Sequence, residues 1–244
     1  TLNIDALDHS AYYELYKLTG NGLDEMQAVM RGDNHNYIEL ALSYMTAYLT
    51  EDAIEILKLA PNDNEPMVHY YLYALTNDKS ELDKAENSDS LYCFPNRLED
   101  ITVLEKAIYN GGNYAAYYLG CLFYDRGRWE ESKELWEKCA DNIKLPTVYR
   151  NLSLVYYNKL KDGVLAVKAM EKAFSIDKSD ARIFFELDQL YKTLNFSLEK
   201  RLANMNENSD LLEKRDDLYT EYITLLNMNG EYDNAYNRIM NHNF

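Results

Sequence analysis

The sequence predicts an all-α protein, an α-solenoid of antiparallel helix pairs, on three observations. Leucine followed by a small or polar residue recurs as Leu40-Ala41, Leu72-Tyr73, Leu119-Gly120, Leu152-Ser153 and Leu187-Asp188, with Tyr222-Ile223 the weakest member. The spacings are 32, 47, 33, 35 and 35 residues. A second ladder of residues, Ala53, Ala85, Ser132, Ala166 and Ala235, runs parallel to the first, with Lys200 as a departure. Small side chains at such positions let two helices approach closely. Third, the 244 residues include only 9 Gly and 4 Pro, too few for the many tight turns of an all-β fold.

The elements follow in order. A first helix pair is expected at 9–18 and 23–31, separated by Gly20-Asn21-Gly22, within residues 1–33. Repeat units then occupy 34–65, 66–112, 113–146, 147–180, 181–215 and 216–244. No Ser- or Pro-rich linker interrupts them, so the chain reads as one continuous solenoid. The 47-residue spacing marks an insertion at about 78–95, between the two helices of one unit, ending in the turn Cys93-Phe94-Pro95-Asn96. Leu98, Ile101, Leu104, Ala107 and Ile108 give a helical stripe directly after it. Asn96 is the expected N-cap of that helix, and Pro95 discourages a helix from running through. The unit 181–215 departs most from the pattern, with Lys200 and Asn204 where small and apolar residues are expected.

A period of about 34 residues built from two amphipathic helices resembles the tetratricopeptide repeat. Residues 113–146 match it best, through Leu119-Gly120, Phe123, Gly127-Arg128-Trp129, Ser132, Trp136 and Pro146. The last unit keeps Tyr219, Leu226, Gly230, Tyr232, Ala235 and Ile239, and the leading bulky slot is filled by Tyr37, His69, Tyr149, Phe184 and Tyr219 but by Ala116 in the best unit. The resemblance implies a right-handed superhelix. The segments YCFPNRLEDITVLEKAI, YRNLSLVYYNK and KRDDLYTEYITLLNMNGEYDNAY are also similar to the helical part of certain bacterial tetratricopeptide proteins, in which a β-rich amino-terminal domain of unknown function precedes the repeats. That resemblance implies that the chain is the repeat portion of a larger cytoplasmic protein. A start at Thr1 and a stop at Phe244 directly after a helical pattern also read as a fragment.

In a stacked array the first helix of each pair lines the concave face, and residues at i, i+3, i+7 and i+10 beside its buried stripe point into the groove. This register selects His35, Ile38, Leu42 and Met45, then Met67, Tyr70, Ala74 and Asn77, then Tyr114, Tyr117, Cys121 and Tyr124. It continues with Thr147, Arg150, Leu154 and Tyr157, and with Arg182, Phe185, Gln189 and Lys192. The candidate binding residues are Tyr114, Tyr117, Tyr124, Arg150, Tyr157, Arg182, Phe185, Gln189 and Lys192. Tyrosine offers broad contact at low entropic cost, and Arg can fork onto a carboxylate. The pattern suits an extended peptide or helix carrying apolar and acidic side chains. The same tyrosines can instead simply pack between units.

Lys and Arg number 25 against 41 Asp and Glu, a net charge of −16, which argues against a phosphate-tracking or lipid-binding surface. Neither nucleic acid nor membrane is an expected partner. Cys93, Cys121 and Cys139 have no metal-ligand spacing and cannot all pair, which fits a reducing compartment. His9, His35, His69 and His242 lie in different units without paired ligand spacing, and no Gly-rich phosphate loop or nucleophile elbow occurs. Asn62-Asp63-Asn64-Glu65 lacks the Gly and terminal Glu of a calcium loop and reads as a turn. The function expected is a non-catalytic scaffold, with no cofactor and no metal, that docks a protein or peptide in its groove. The alternative is an accessory helical domain of a carbohydrate-active or carbohydrate-binding protein, docking the β-rich domain of the same chain.

Overall fold

The computed structural model describes residues 2–61, 64–89 and 92–242, and every element among them is helical. The expected turn at Asn62 and Asp63 and the expected termini Thr1 and Phe244 lie outside the described residues. Two compact units divide the chain, Thr1–Arg126 and Gly127–Phe244. In both, consecutive helices joined by short turns pack side by side, so each pair is antiparallel and tetratricopeptide-like in length.

The first unit contains α1 (His9–Thr19), α2 (Leu23–Met30), α3 (Asn34–Thr46), α4 (Thr50–Lys58), α5 (Pro66–Thr76), α6 (Lys79–Asn87), α7 (Leu98–Tyr109) and α8 (Asn113–Asp125). Polar residues stop and start these helices. Asp8, Asp33 and Asp78 accept the first free backbone N–H groups of α1, α3 and α6, which would otherwise have no partner within the helix. Gly20 closes α1 at φ +77°, a conformation that a side chain resists. Pro66 opens α5, where its missing N–H costs nothing.

Residues 78–95 hold a helix of their own. α6 packs against α5 through Leu82 and the buried ladder residue Ala85, while α7 packs against α5 and α8. The start of α7 corrects the expected cap. Asn96 does not cap it; instead the fully buried Asp100, in the first turn, reaches back and accepts the N–H groups of Asn96 and Arg97, both at 2.9 Å. Its other oxygen accepts the hydroxyl of Tyr71 at 2.7 Å. A buried carboxylate with three donors is satisfied, whereas an Asn side chain at the exposed position 96 has no such enclosure.

The second unit contains α9 (Trp129–Ile143), α10 (Pro146–Asn158), α11 (Gly163–Ile176), α12 (Ala181–Thr193), α13 (Leu198–Glu207), a 3₁₀ turn (Ser209–Lys214), α14 (Asp216–Met228) and α15 (Tyr232–Asn241). Ladder residues Ser132, Ala166 and Ala235 are buried, as are Leu152, Ser153, Leu187 and Asp188. In α13 the inward stripe is Arg201, Leu202 and Met205, one residue later than the slots assigned to Lys200 and Asn204. Lys200 instead lays its ammonium over the rings of Phe196 and Tyr191, 4.3 and 4.8 Å from their centroids.

A second regularity joins tyrosines to polar side chains of the preceding helix, two of them acidic. Tyr156 donates to Glu137 at 2.6 Å, Tyr191 to Glu171 at 2.6 Å and Tyr222 to Asn206 at 2.7 Å. In each case a first helix is tied to the second helix of the preceding pair. Burial, followed by the bond to the carboxylate, pushes the Tyr156 and Tyr191 phenols well above their ordinary range, so both stay protonated donors.

Candidate protein-docking face

In the second unit, α10 and α12 present one face together. Helical spacing puts Arg150, Leu154 and Tyr157 on one side of α10, and Glu186, Gln189 and Thr193 on the facing side of α12. Between them lies a cleft of about 340 Å³, lined also by Ser153, Asn158, Met170 and Leu190. The floor is apolar, with Met170 supplied by α11, and the rim is polar.

Three of the six candidates in this unit, Arg150, Tyr157 and Gln189, line the cleft together with Leu154 from the same register. Arg182 stands beside it, whereas Phe185 and Lys192 do not line it. Phe185 is half-buried, with the Arg215 guanidinium 5.8 Å from its ring centroid.

The basic side chains are engaged differently from the expectation that they await an acidic ligand. Arg150 makes a forked bond to Glu186, Nε to Oε2 at 2.5 Å and Nη2 to Oε1 at 2.7 Å. Arg182 Nε approaches the same Oε1 at 3.2 Å. Lys192 donates to both oxygens of Glu221 at 2.9 Å. In a chain with 16 more acidic than basic residues, each Arg or Lys of this face finds an internal carboxylate, leaving no bare cationic rim. Glu186 is the residue that sequence reasoning missed. Its position four residues after Arg182 on one helix face is the signal that could have found it. Gln189 differs from these paired groups: its Nε2 is buried without a hydrogen-bond partner, while its backbone carbonyl accepts from Thr193 at 2.8 Å.

In the first unit Tyr114, Tyr117 and Tyr124 are half-buried. Tyr114 and Tyr117 lean on the fully buried Tyr118, with ring centroids 6.3 and 5.4 Å away. The groove register holds only in part for the helices before them: His35, Leu42, Met45 and Ala74 are half-buried and Asn77 is exposed. Ile38, Met67 and Tyr70 are essentially inaccessible and belong to the core. Among the described residues no cluster of three or more His, Cys, Asp and Glu could hold a metal ion, and no helix is long and apolar enough to cross a membrane.

No family model matches the chain. Solved structures overlap it in part. PilF from Pseudomonas aeruginosa is 18% identical, with 84% of this chain and 88% of that chain covered at a TM-score of 0.46. MamA from Desulfovibrio magneticus RS-1, residues 41 to the end, is 15% identical over 75% of this chain and 97% of its own at 0.43. TTC0263, a thermophilic TPR protein of Thermus thermophilus, is 15% identical over 80% and 99% at 0.42. The fold described above rests on this chain's own helix pairing.

Proposed function

We propose that the chain is a non-catalytic scaffold that docks a protein or peptide segment, carried by another chain or by a neighbouring domain, against the α10–α12 face of the second unit. The observation that carries this reading is the cleft itself: an apolar floor of Leu154, Met170 and Leu190 beside an amide, Gln189 Nε2, that lacks a partner. A buried donor without an acceptor costs free energy, and a ligand carbonyl that accepts from it recovers that cost on binding. Tyr157 supplies contact area at the rim, and Phe185, Arg182 and Lys192 flank it as secondary contacts. Tyr114, Tyr117 and Tyr124 are proposed as the corresponding aromatic contacts of the first unit, considered by itself. The ligand favoured is an extended segment with one apolar side chain and flanking backbone amides, not a strongly acidic one, because Glu186 already occupies Arg150. A cytoplasmic setting belongs to the same proposal, on the cysteine usage of the sequence.

Selection of binders from a displayed peptide library, followed by calorimetry, tests this. Tyr157→Ala and Gln189→Leu are expected to weaken a selected peptide by about fivefold or more each, since truncating a central contact typically costs over 1 kcal/mol. A selected peptide that binds both folded variants as tightly as the unaltered chain removes this face from the function.

A further inference from the structure

The first unit contains a connecting segment that the docking face above does not use. Over residues 92–97, before α7, side chains alternate between solvent and interior as they do along a strand, and Arg97 itself is extended. Cys93 and Pro95 are buried, and the Arg97 side chain is only 12% exposed, whereas Tyr92, Phe94 and Asn96 face solvent. The inward side thus reads Cys-x-Pro-x-Arg.

This inward side meets residues of the very register that marks a groove. Arg97 Nε donates to Glu39 at 2.5 Å, and Arg97 Nη1 lies 3.3 Å from His35 Nδ1, both on α3. The Cys93 thiol, raised well above its ordinary pKa by burial and then by Glu65 and Asp100, lies near Tyr70 of α5 and near Tyr118 and Cys121 of α8. The segment's backbone is held at one end: the Asn96 carbonyl accepts from Arg126 Nη2 at 2.9 Å, and Asp100 takes the next N–H groups. The stretch thus lies against α3 through Arg97 and places the buried Cys93 beside the core residues Tyr70 and Tyr118, while Tyr114, Tyr117 and Tyr124 of α8 stay half-buried and outside it. The fit is incomplete, because Glu65 Oε1 is buried there without a hydrogen-bond partner and the buried Tyr118 hydroxyl faces the Cys93 thiol. A thiol is a weak donor and acceptor, so it serves these two groups poorly.

We propose that the inner face of α3, α5 and α8 is a binding site for extended segments of the pattern small-x-Pro-x-Arg, and that Tyr92–Arg97 occupies it as an internal ligand. A ligand with Ser in place of Cys93 serves Glu65 Oε1 and the Tyr118 hydroxyl better than the thiol does and is the better match. Tethering gives the internal segment an effective concentration on the order of millimolar, so an outside ligand competes only when it binds tightly or when the segment is released. This inference is independent of the α10–α12 proposal, and neither readout below involves those helices.

The first readout is iodoacetamide labelling of the intact chain, followed by peptide mass mapping. Cys93 is expected to react about tenfold or more slowly than in the urea-unfolded chain, because labelling requires local opening. Arg97→Glu is expected to speed Cys93 by about tenfold, the loss of about 1.4 kcal/mol of local closure, while leaving Cys139 unchanged. Equal Cys93 rates in the folded and unfolded chains, or no acceleration in Arg97→Glu, overturns the proposal. The second readout replaces Tyr92–Arg97 by a Gly-Ser stretch of equal length and adds the fluorescent peptide Tyr-Cys-Phe-Pro-Asn-Arg-Leu and its Ser analogue. The variant is expected to bind both saturably, the Ser peptide more tightly, and at least about tenfold better than the unaltered chain does. A variant with unchanged helicity that fails to bind, or an unaltered chain that binds equally well, overturns it. If that variant loses its helicity, the Arg97→Glu labelling decides alone.

Discussion

At Asp188 and Arg201 two departures from the repeat pattern are partners. Asp188 stands in the slot that Gly120 fills in the best-matching unit, and it is fully buried. Arg201 meets it with Nε to Oδ1 at 3.0 Å and Nη2 to Oδ2 at 2.6 Å, and its own exposure is only 5%. Removing one member of a buried pair strands the other charge, at a cost of about 3–5 kcal/mol. Arg201→Leu, which leaves the fully buried Asp188 without its cation, is therefore expected to lower the urea stability of the second unit by about that much. Adding Asp188→Ala to it is expected to restore a large part, since a buried pair replaced by apolar groups is often neutral. A double variant no more stable than the single one would show that the pair is not the cause.

Elements in the second unit are joined by the same carboxylates. Glu221 of α14 accepts from Arg201 of α13 at 2.7 Å and from Lys192 of α12 at 2.9 Å. Burial pushes its carboxyl up, but the bonds from Lys192 and Arg201 outweigh it and hold the group below its ordinary value of 4.5. A depressed carboxylate contributes stability that is fully present above the unfolded value and is lost as pH falls through the folded one. Urea midpoints measured from neutral pH downward are thus expected to fall below about pH 4.5, with a shallower fall in Glu221→Gln. Identical slopes in the two chains would remove Glu221 from the acid response. The same element scale bounds the groove register in the first unit: Arg97, from the α6–α7 connection, reaches Glu39 and His35 of α3, and Ile38, Met67 and Tyr70 belong to the core.

For the whole molecule, charge is the feature that acts at a distance. The net −16 leaves acidic side chains in excess of basic partners, so they repel on balance, while individual exposed ion pairs contribute little. Screening this repulsion outweighs the loss of weak surface pairs. Raising NaCl from about 50 mM to about 500 mM, which shortens the Debye length several-fold, is expected to raise the melting temperature. A melting temperature that falls over that range would mean that the surface pairs dominate.

The sequence by itself determined the all-helical class, the spacing of the pairs and most helix positions, because burial of Leu and small residues at a fixed period is a local property of each helix. It also placed Arg150 and Tyr157 on one face of α10 by helical spacing alone, whereas their meeting with Gln189 of α12 came from packing. What it left open depends on residues far apart in the chain. Only the tertiary structure decided that Glu186 neutralises Arg150, that Arg201 rather than Lys200 is the inward residue of α13, and that Asp100 rather than Asn96 organises the start of α7. Likewise, only packing brought Arg97 to Glu39 and His35 of α3 and buried Cys93 and Pro95. Periodicity reports which side of a helix is apolar, but the partner of a charge or the cover of a groove is set by which elements the fold brings together.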